Sequence, residues 1–188
     1  MSAATGAHTA RSAQRIVRRR LIVAVFLLGA LTVLGFAPFS LFFIPMLTLP
    51  ALLVALHGAR PRDAARLGFA YGLGFFLFGV SWIYVSLHDF GAMPAPLAAL
   101  ATLLFCAFLA LFPAVAGYFY ARLPLTSLAK LALFFPAVWT LLEWTRGWLF
   151  TGFPWLGTGY SQIPVSPLAG YAPVFGIYGV TFAVALTG

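Results

Sequence analysis

The stretch Pro96–Ala121, PLAALATLLFCAFLALFPAVAGYFYA, runs for 26 residues without an acid, a base or a histidine. At 1.5 Å rise per residue it is longer than the ~30 Å hydrocarbon core of a bilayer. Inside hydrocarbon only a helix or a closed barrel satisfies the backbone, and a barrel strand would show alternating polarity over about ten residues. This run is continuously apolar, so it reads as a spanning helix, long enough to tilt or to kink at Pro113. The same character extends on both sides. Tyrosines and Cys106 aside, His88 and Asp89 are the ionisable groups between Leu67 and Ala121. Over the whole chain 63% of residues are hydrophobic and 7% charged, against about 25% charged in soluble domains. The class that follows is an all-α, polytopic integral membrane bundle.

Five further apolar runs bring the expected number of spans to about six: residues 21–37, 39–57, 67–87, 96–121, 131–148 and 173–188. Pro38 breaks the first, and the second is expected to bend at Pro45 or Pro50. The third holds Gly68 and Gly72, a G-x-x-x-G pair that allows close helix contact. Residues 1–20 form a basic tail ahead of a membrane domain over 21–188. A tail of this kind before Leu21–Ala37 could also be a signal peptide, but the following Pro38 and the later spans argue for a retained first helix. The last run, Pro173–Gly188, stops without a polar or basic flank, so the chain reads as the front part of something longer.

A net charge of +8 raises the question of nucleic acid. Five of the eleven basic residues (Arg11, Arg15, Arg18, Arg19 and Arg20) abut the first apolar run, where they act as a topology anchor. No nucleic-acid partner is expected. With that tail cytoplasmic, Arg60, Arg62, Arg66, Arg122 and Lys130 also fall inside, and Arg146 alone falls outside. All five tryptophans then lie in the outer half, either as an ordinary aromatic belt at the headgroups or as a surface that handles lipid. Cys106 lies mid-run, where a small buried hydrophobe is the ordinary role.

The segment Glu143–Gln162, EWTRGWLFTGFPWLGTGYSQ, is too irregular for a span and too apolar for a solvated loop. It reads as an amphipathic platform on the outer surface, with Glu143, Trp144, Arg146, Trp148, Phe153, Trp155 and Tyr160 as the candidate lipid or headgroup surface. Glu143 and Arg146 stand i, i+3 on one helix face. They form either a mutual ion pair that lets both sit near hydrocarbon, or an Arg146 that holds a phosphate while Glu143 orients it. His88, Asp89 and Ser161 could compose a hydrolytic triad, but no G-x-S-x-G elbow surrounds Ser161. Metal and nucleotide motifs are absent from the sequence, so no cofactor is expected.

Longer strings carry a resemblance. Glu143-Trp144-Thr145-Arg146-Gly147-Trp148, Thr151-Gly152-Phe153-Pro154-Trp155-Leu156, Gly159-Tyr160-Ser161-Gln162 and Pro167-Leu168-Ala169-Gly170 resemble the N-terminal membrane region of apolipoprotein N-acyltransferases. Phe36-Ala37-Pro38-Phe39, Trp82-Ile83-Tyr84 and Gly91-Ala92-Met93-Pro94 are similar to the same family. The resemblance implies a multi-pass enzyme of the bacterial inner membrane. Its acyl donor would be a phospholipid and its acceptor the N-terminal diacylglyceryl-cysteine of an apolipoprotein. It also implies a thioester mechanism on a Glu–Lys–Cys triad in a nitrilase-like domain, which is expected beyond Gly188. No catalytic residue is assigned within the chain; Cys106, Lys130 and Glu143 are expected at different depths. A chain without that domain is expected to be inactive alone. A membrane scaffold without catalysis is the alternative, and a transporter is disfavoured by the scarcity of polar groups at mid-membrane.

Overall fold

Glycine positions decide which helices meet. The computed structural model describes residues 2–187, and side chains from residue 16 onward; Arg11 and Arg15 of the basic tail therefore lie outside the described side chains. The helices are α1 Ser2–Thr32, α2 Phe43–Leu56, α3 Pro61–Gly79, α4 Trp82–Phe90, α5 Ala95–Arg122, α6 Ser127–Arg146 and α7 Pro167–Leu186. Among the described residues there is no strand. Helix α3 is the hub, packed along α5 on one side and α1 on the other. A Cβ added at Gly68 would stand 2.2 Å from the Pro113 carbonyl oxygen, and one at Gly72 2.9 Å from the Ala110 Cα. The G-x-x-x-G pair therefore brings α3 and α5 to backbone contact, as small residues do in membranes. Pro113 stays within an unbroken α5, buried against these glycines rather than marking its end.

The six apolar runs all become helix, but their boundaries differ from the sequence reading. Among the described residues three helices (α5, α6 and α7) are individually long and apolar enough to span, and α3 with α4 makes a fourth if the pair, bent by 50°, counts as one span. Helix α2 has 14 residues, about 21 Å of rise, short of ~30 Å of hydrocarbon. Its expected start at residue 39 gives way to a turn in which Ser40 has φ 53°. The amides of Phe39, Ser40 and Leu41 bond the carbonyls of Phe36 and Leu34, so the turn satisfies its own backbone. Pro50 is accommodated inside α2. Helix α1 continues without a break through the basic tail, because Arg, Ala and Gln are good helix formers.

Two apolar cores fill the bundle. One gathers Leu49, Leu52, Leu56, Tyr71, Phe135, Trp139, Val180 and Val184. The other gathers Phe36, Phe75, Phe76, Cys106, Leu109 and Leu156. Buried hydroxyls link the first three helices: Thr32 bonds Thr48 at 2.9 Å and Tyr71 at 2.8 Å, joining α1, α2 and α3. The basic connectors gather at one end. Arg18 of α1 and Arg66 of α3 both reach Asp63, and a cavity beside them is walled by His57 and Gly58 together with Ser127 and Lys130.

Candidate functional site

At the far end of α6 the chain leaves helical geometry and folds back until α7 begins. The backbone between is strained: Phe150, Thr151 and Leu156 have φ of 52°, 79° and 57°, a region that L side chains rarely adopt and that costs on the order of 1–3 kcal/mol per residue. Such strain persists only where the surroundings over-determine the conformation, and two buried side chains of α6 do so.

Glu143 is the first. It is 8% exposed, and its carboxyl oxygens accept from the Thr158 amide at 3.0 Å, the Thr158 hydroxyl at 2.5 Å, the Trp139 indole N–H at 3.1 Å and the Thr181 hydroxyl at 3.0 Å. Thr181 in turn accepts from the Gly159 amide at 2.9 Å. Glu143 thus joins α6, the irregular segment and α7, and it accepts the Thr158 amide, which would otherwise be buried without a partner. Gly159 is held so near α7 that an added Cβ would lie 2.5 Å from the Ile177 carbonyl oxygen. Beyond it, the Ser161 hydroxyl donates to the Thr158 carbonyl, and Gln162 donates to Ser161 and to the Phe42 carbonyl at the start of α2.

Arg146 is the second, at 3% exposure. Its backbone carbonyl accepts from the Phe153 amide at 2.8 Å. Its guanidinium donates to the carbonyls of Phe153 and Trp155 and lies over the Phe76 ring, 5.1 Å from the centroid. Two carbonyl dipoles and an aromatic face thus stabilise the buried cation. Beside it is a cavity of about 20 Å³, lined by Phe76, Phe112, Trp139, Glu143 and Arg146 among others, with space for a single water.

These facts correct the reading of Glu143 and Arg146. No ion pair forms between them; each turns to backbone and hydroxyl partners, because the folded-back segment supplies more donors and acceptors than either could offer the other. Neither lies on the outer surface. Trp139 likewise belongs to the core, with its N–H committed to Glu143 and Thr158, rather than to an aromatic belt. Phe153 is half-buried against Phe105, rings edge-on at 5.0 Å. The exposed members are Trp144, Trp148, Trp155 and Tyr160, joined by Trp82 and Phe150. Trp82 packs on Trp155 and Trp144 on Trp148. An aromatic rim therefore surrounds a polar clasp that is entirely internal.

The other polar candidates do not converge. His88 bonds the Met93 carbonyl through Nδ1 and lies 4.0 Å from Asp89, while the Ser161 hydroxyl is engaged with Thr158 and Gln162. Cys106 is buried in the second core, Lys130 caps the Tyr120 ring and Glu143 sits in its own network. Sequence reasoning missed Thr158, Gln162 and Thr181. The available signal was Thr181, a threonine in the middle of the last apolar run; polar groups at membrane depth have partners.

A helical membrane bundle with one folded-back segment, clasped from within and rimmed by exposed aromatics, defines a polytopic protein with a built surface at one end. Residues 28–188 match the apolipoprotein N-acyltransferase N-terminal domain, and the chain belongs to the apolipoprotein N-acyltransferase family. An apolipoprotein N-acyltransferase of Nitrosomonas europaea is 50% identical over 167 residues, covering 88% of this chain and 34% of that protein. One of Chromobacterium violaceum is 48% identical over 179 residues, covering 95% and 34%. One of Coxiella burnetii is 49% identical over 166 residues, covering 87% and 34%. The chain thus spans about a third of the length of these relatives.

Proposed function

We propose that residues 21–188 are the membrane domain of an enzyme that transfers an acyl chain from a phospholipid to the N-terminal diacylglyceryl-cysteine of lipoproteins. The carrying observation is the exposed aromatic rim of Trp82, Trp144, Trp148, Trp155 and Tyr160 over the Glu143–Arg146 clasp, in a chain whose relatives bear that enzyme's name. Amphipathic rings of this kind sit at the headgroup level of a bilayer. On this reading the rim engages donor and acceptor lipids, and the clasp holds its backbone rigid. Glu143, Arg146 and Phe153 are positioning residues, and Trp144, Trp148, Trp155 and Tyr160 meet lipid. The acyl-cysteine chemistry lies outside residues 1–188, which alone do not turn over. The Arg-rich end, including residues 1–20, faces the cytoplasm of a bacterial inner membrane, as the positive-inside rule expects.

The test is a chimera in which this chain replaces the matched third of the Nitrosomonas europaea relative. Acyl transfer from phosphatidylethanolamine to a diacylated lipopeptide is then measured in detergent. Activity in the chimera with none in the 188-residue chain is the expected result. A folded, inserted chimera without turnover would refute the assignment, and turnover by the short chain would refute the placement of its chemistry.

A further inference from the structure

At the opposite end from the aromatic rim, α1, α3 and the connector after α2 border an open cleft of about 670 Å³, within the ~300–1,000 Å³ range of ligand sites. Arg18, His57, Arg60, Asp63 and Arg66 line its mouth, and Leu21 and Leu67 its floor. Asp63 is its one carboxylate, and it is already engaged by Arg18 and Arg66. The remaining acids of the chain, Asp89 and Glu143, have other partners, so the mouth is net positive and Arg60 has no acidic partner. Each guanidinium has five N–H donors, and those not turned to Asp63 are available to an anion. A second groove, about 550 Å³ and almost wholly apolar, runs along the α1–α3 seam past Val23, Phe26, Phe69 and Leu73. The two share Ile22 and Arg66 as walls, so the basic mouth and the apolar groove adjoin at the α1–α3 seam.

We propose that this seam is a binding site for an anionic phospholipid, with its phosphate between Arg60 and Arg66 and one acyl chain along the groove. The shape requires both halves of such a molecule. A bare phosphate leaves the groove empty, and an ethanolamine or choline headgroup brings a cation to a mouth whose only carboxylate is taken. Basic pockets between spanning helices hold anionic headgroups by this charge balance. The site is separate from the aromatic rim and independent of acyl transfer; its role is to fix α1 against α3 at the membrane surface.

The experiment is native mass spectrometry of the 188-residue chain released from detergent doped with equal phosphatidylglycerol and phosphatidylcholine. One phosphatidylglycerol is expected to be retained in preference. Retention should fall about fivefold for Arg60→Gln and again for Arg66→Gln, from ~1 kcal/mol per arginine near an anionic surface. Ala65→Trp, which fills the groove below Arg66, should lower it as well. Equal retention of both lipids, indifference to both arginine variants, or displacement by equimolar inorganic phosphate would overturn the proposal. If Ala65→Trp proves unstable, the two arginine variants, whose side chains are exposed, still decide.

Discussion

Replacing Glu143 by alanine should release the folded-back segment, whereas replacing it by glutamine should largely spare it. Alanine removes the acceptor for four donors at once: the Trp139 indole, the Thr158 amide and hydroxyl, and the Thr181 hydroxyl. The indole keeps Thr158 Oγ1 as a second acceptor at 3.0 Å, and the hydroxyls can rotate. The Thr158 amide, in a residue 3% exposed, has nowhere to turn. Side-chain hydrogen bonds within membrane proteins average ~0.6 kcal/mol each, and a stranded buried donor costs about 1–3 kcal/mol. Glu143→Ala should therefore cost about 2–5 kcal/mol. In Glu143→Gln the amide oxygen still accepts from Thr158, while the amide nitrogen donates to Thr181 Oγ1, which has a free lone pair beside the Gly159 amide. The expected cost is about 1 kcal/mol. Limited proteolysis in detergent, read at the 147–166 segment, measures the difference: cleavage should accelerate at least tenfold more in Glu143→Ala than in Glu143→Gln. Equal cleavage in the two variants and the parent would show that Glu143 does not hold the segment.

Arg146→Ala removes the clasp on Phe153 and Trp155; in an active chimera it should slow acyl transfer more than tenfold and expose the segment to protease, and unchanged turnover would refute its positioning role. Trp144→Ala and Trp148→Ala, at exposed positions, should leave the melting midpoint within error but weaken transfer; a large loss of stability instead would show that the rim is structural. Gly68→Ala forces a Cβ against the Pro113 carbonyl oxygen and should cost about 1–3 kcal/mol through overpacking, while Gly170→Ala, with nothing within 4 Å, should be neutral in the same thermal assay. Tyr71→Phe keeps the ring stacking but loses the bond to Thr32, with an expected cost of about 1 kcal/mol; no shift in midpoint would exclude that bond from the stability of the bundle.

The membrane class, a close helix contact at Gly68 and Gly72, and the gathering of basic connectors were legible in the sequence, because each depends on composition or on local spacing; that α5 is the partner at those glycines came from the packing. Hydrocarbon length and the positive-inside bias act on residues one at a time, so counting along the chain suffices. The irregularity after Arg146 was legible too, from its glycines and Pro154, although Glu143–Arg146 remain the last turn of α6. What could not be read was where Glu143 and Arg146 point. Their spacing suggested a mutual pair; the structure gives Glu143 to Thr158 and Thr181, and Arg146 to Phe153 and Trp155. These partners lie 7–38 residues away, and only the fold-back of the segment onto α6 and α7 makes them neighbours. Trp139 and Trp144 look alike in sequence, yet one is core and the other rim, since helix rotation against α3 and α7 decides which ring is covered. The sequence by itself determined that this chain is a membrane bundle of this family, through the hydrophobicity and motif strings it carries residue by residue. Only the tertiary structure decided that its two charged residues at the aromatic end are internal anchors. A buried charge takes whichever partners the packed backbone brings within hydrogen-bond distance, and sequence spacing alone does not say which those are.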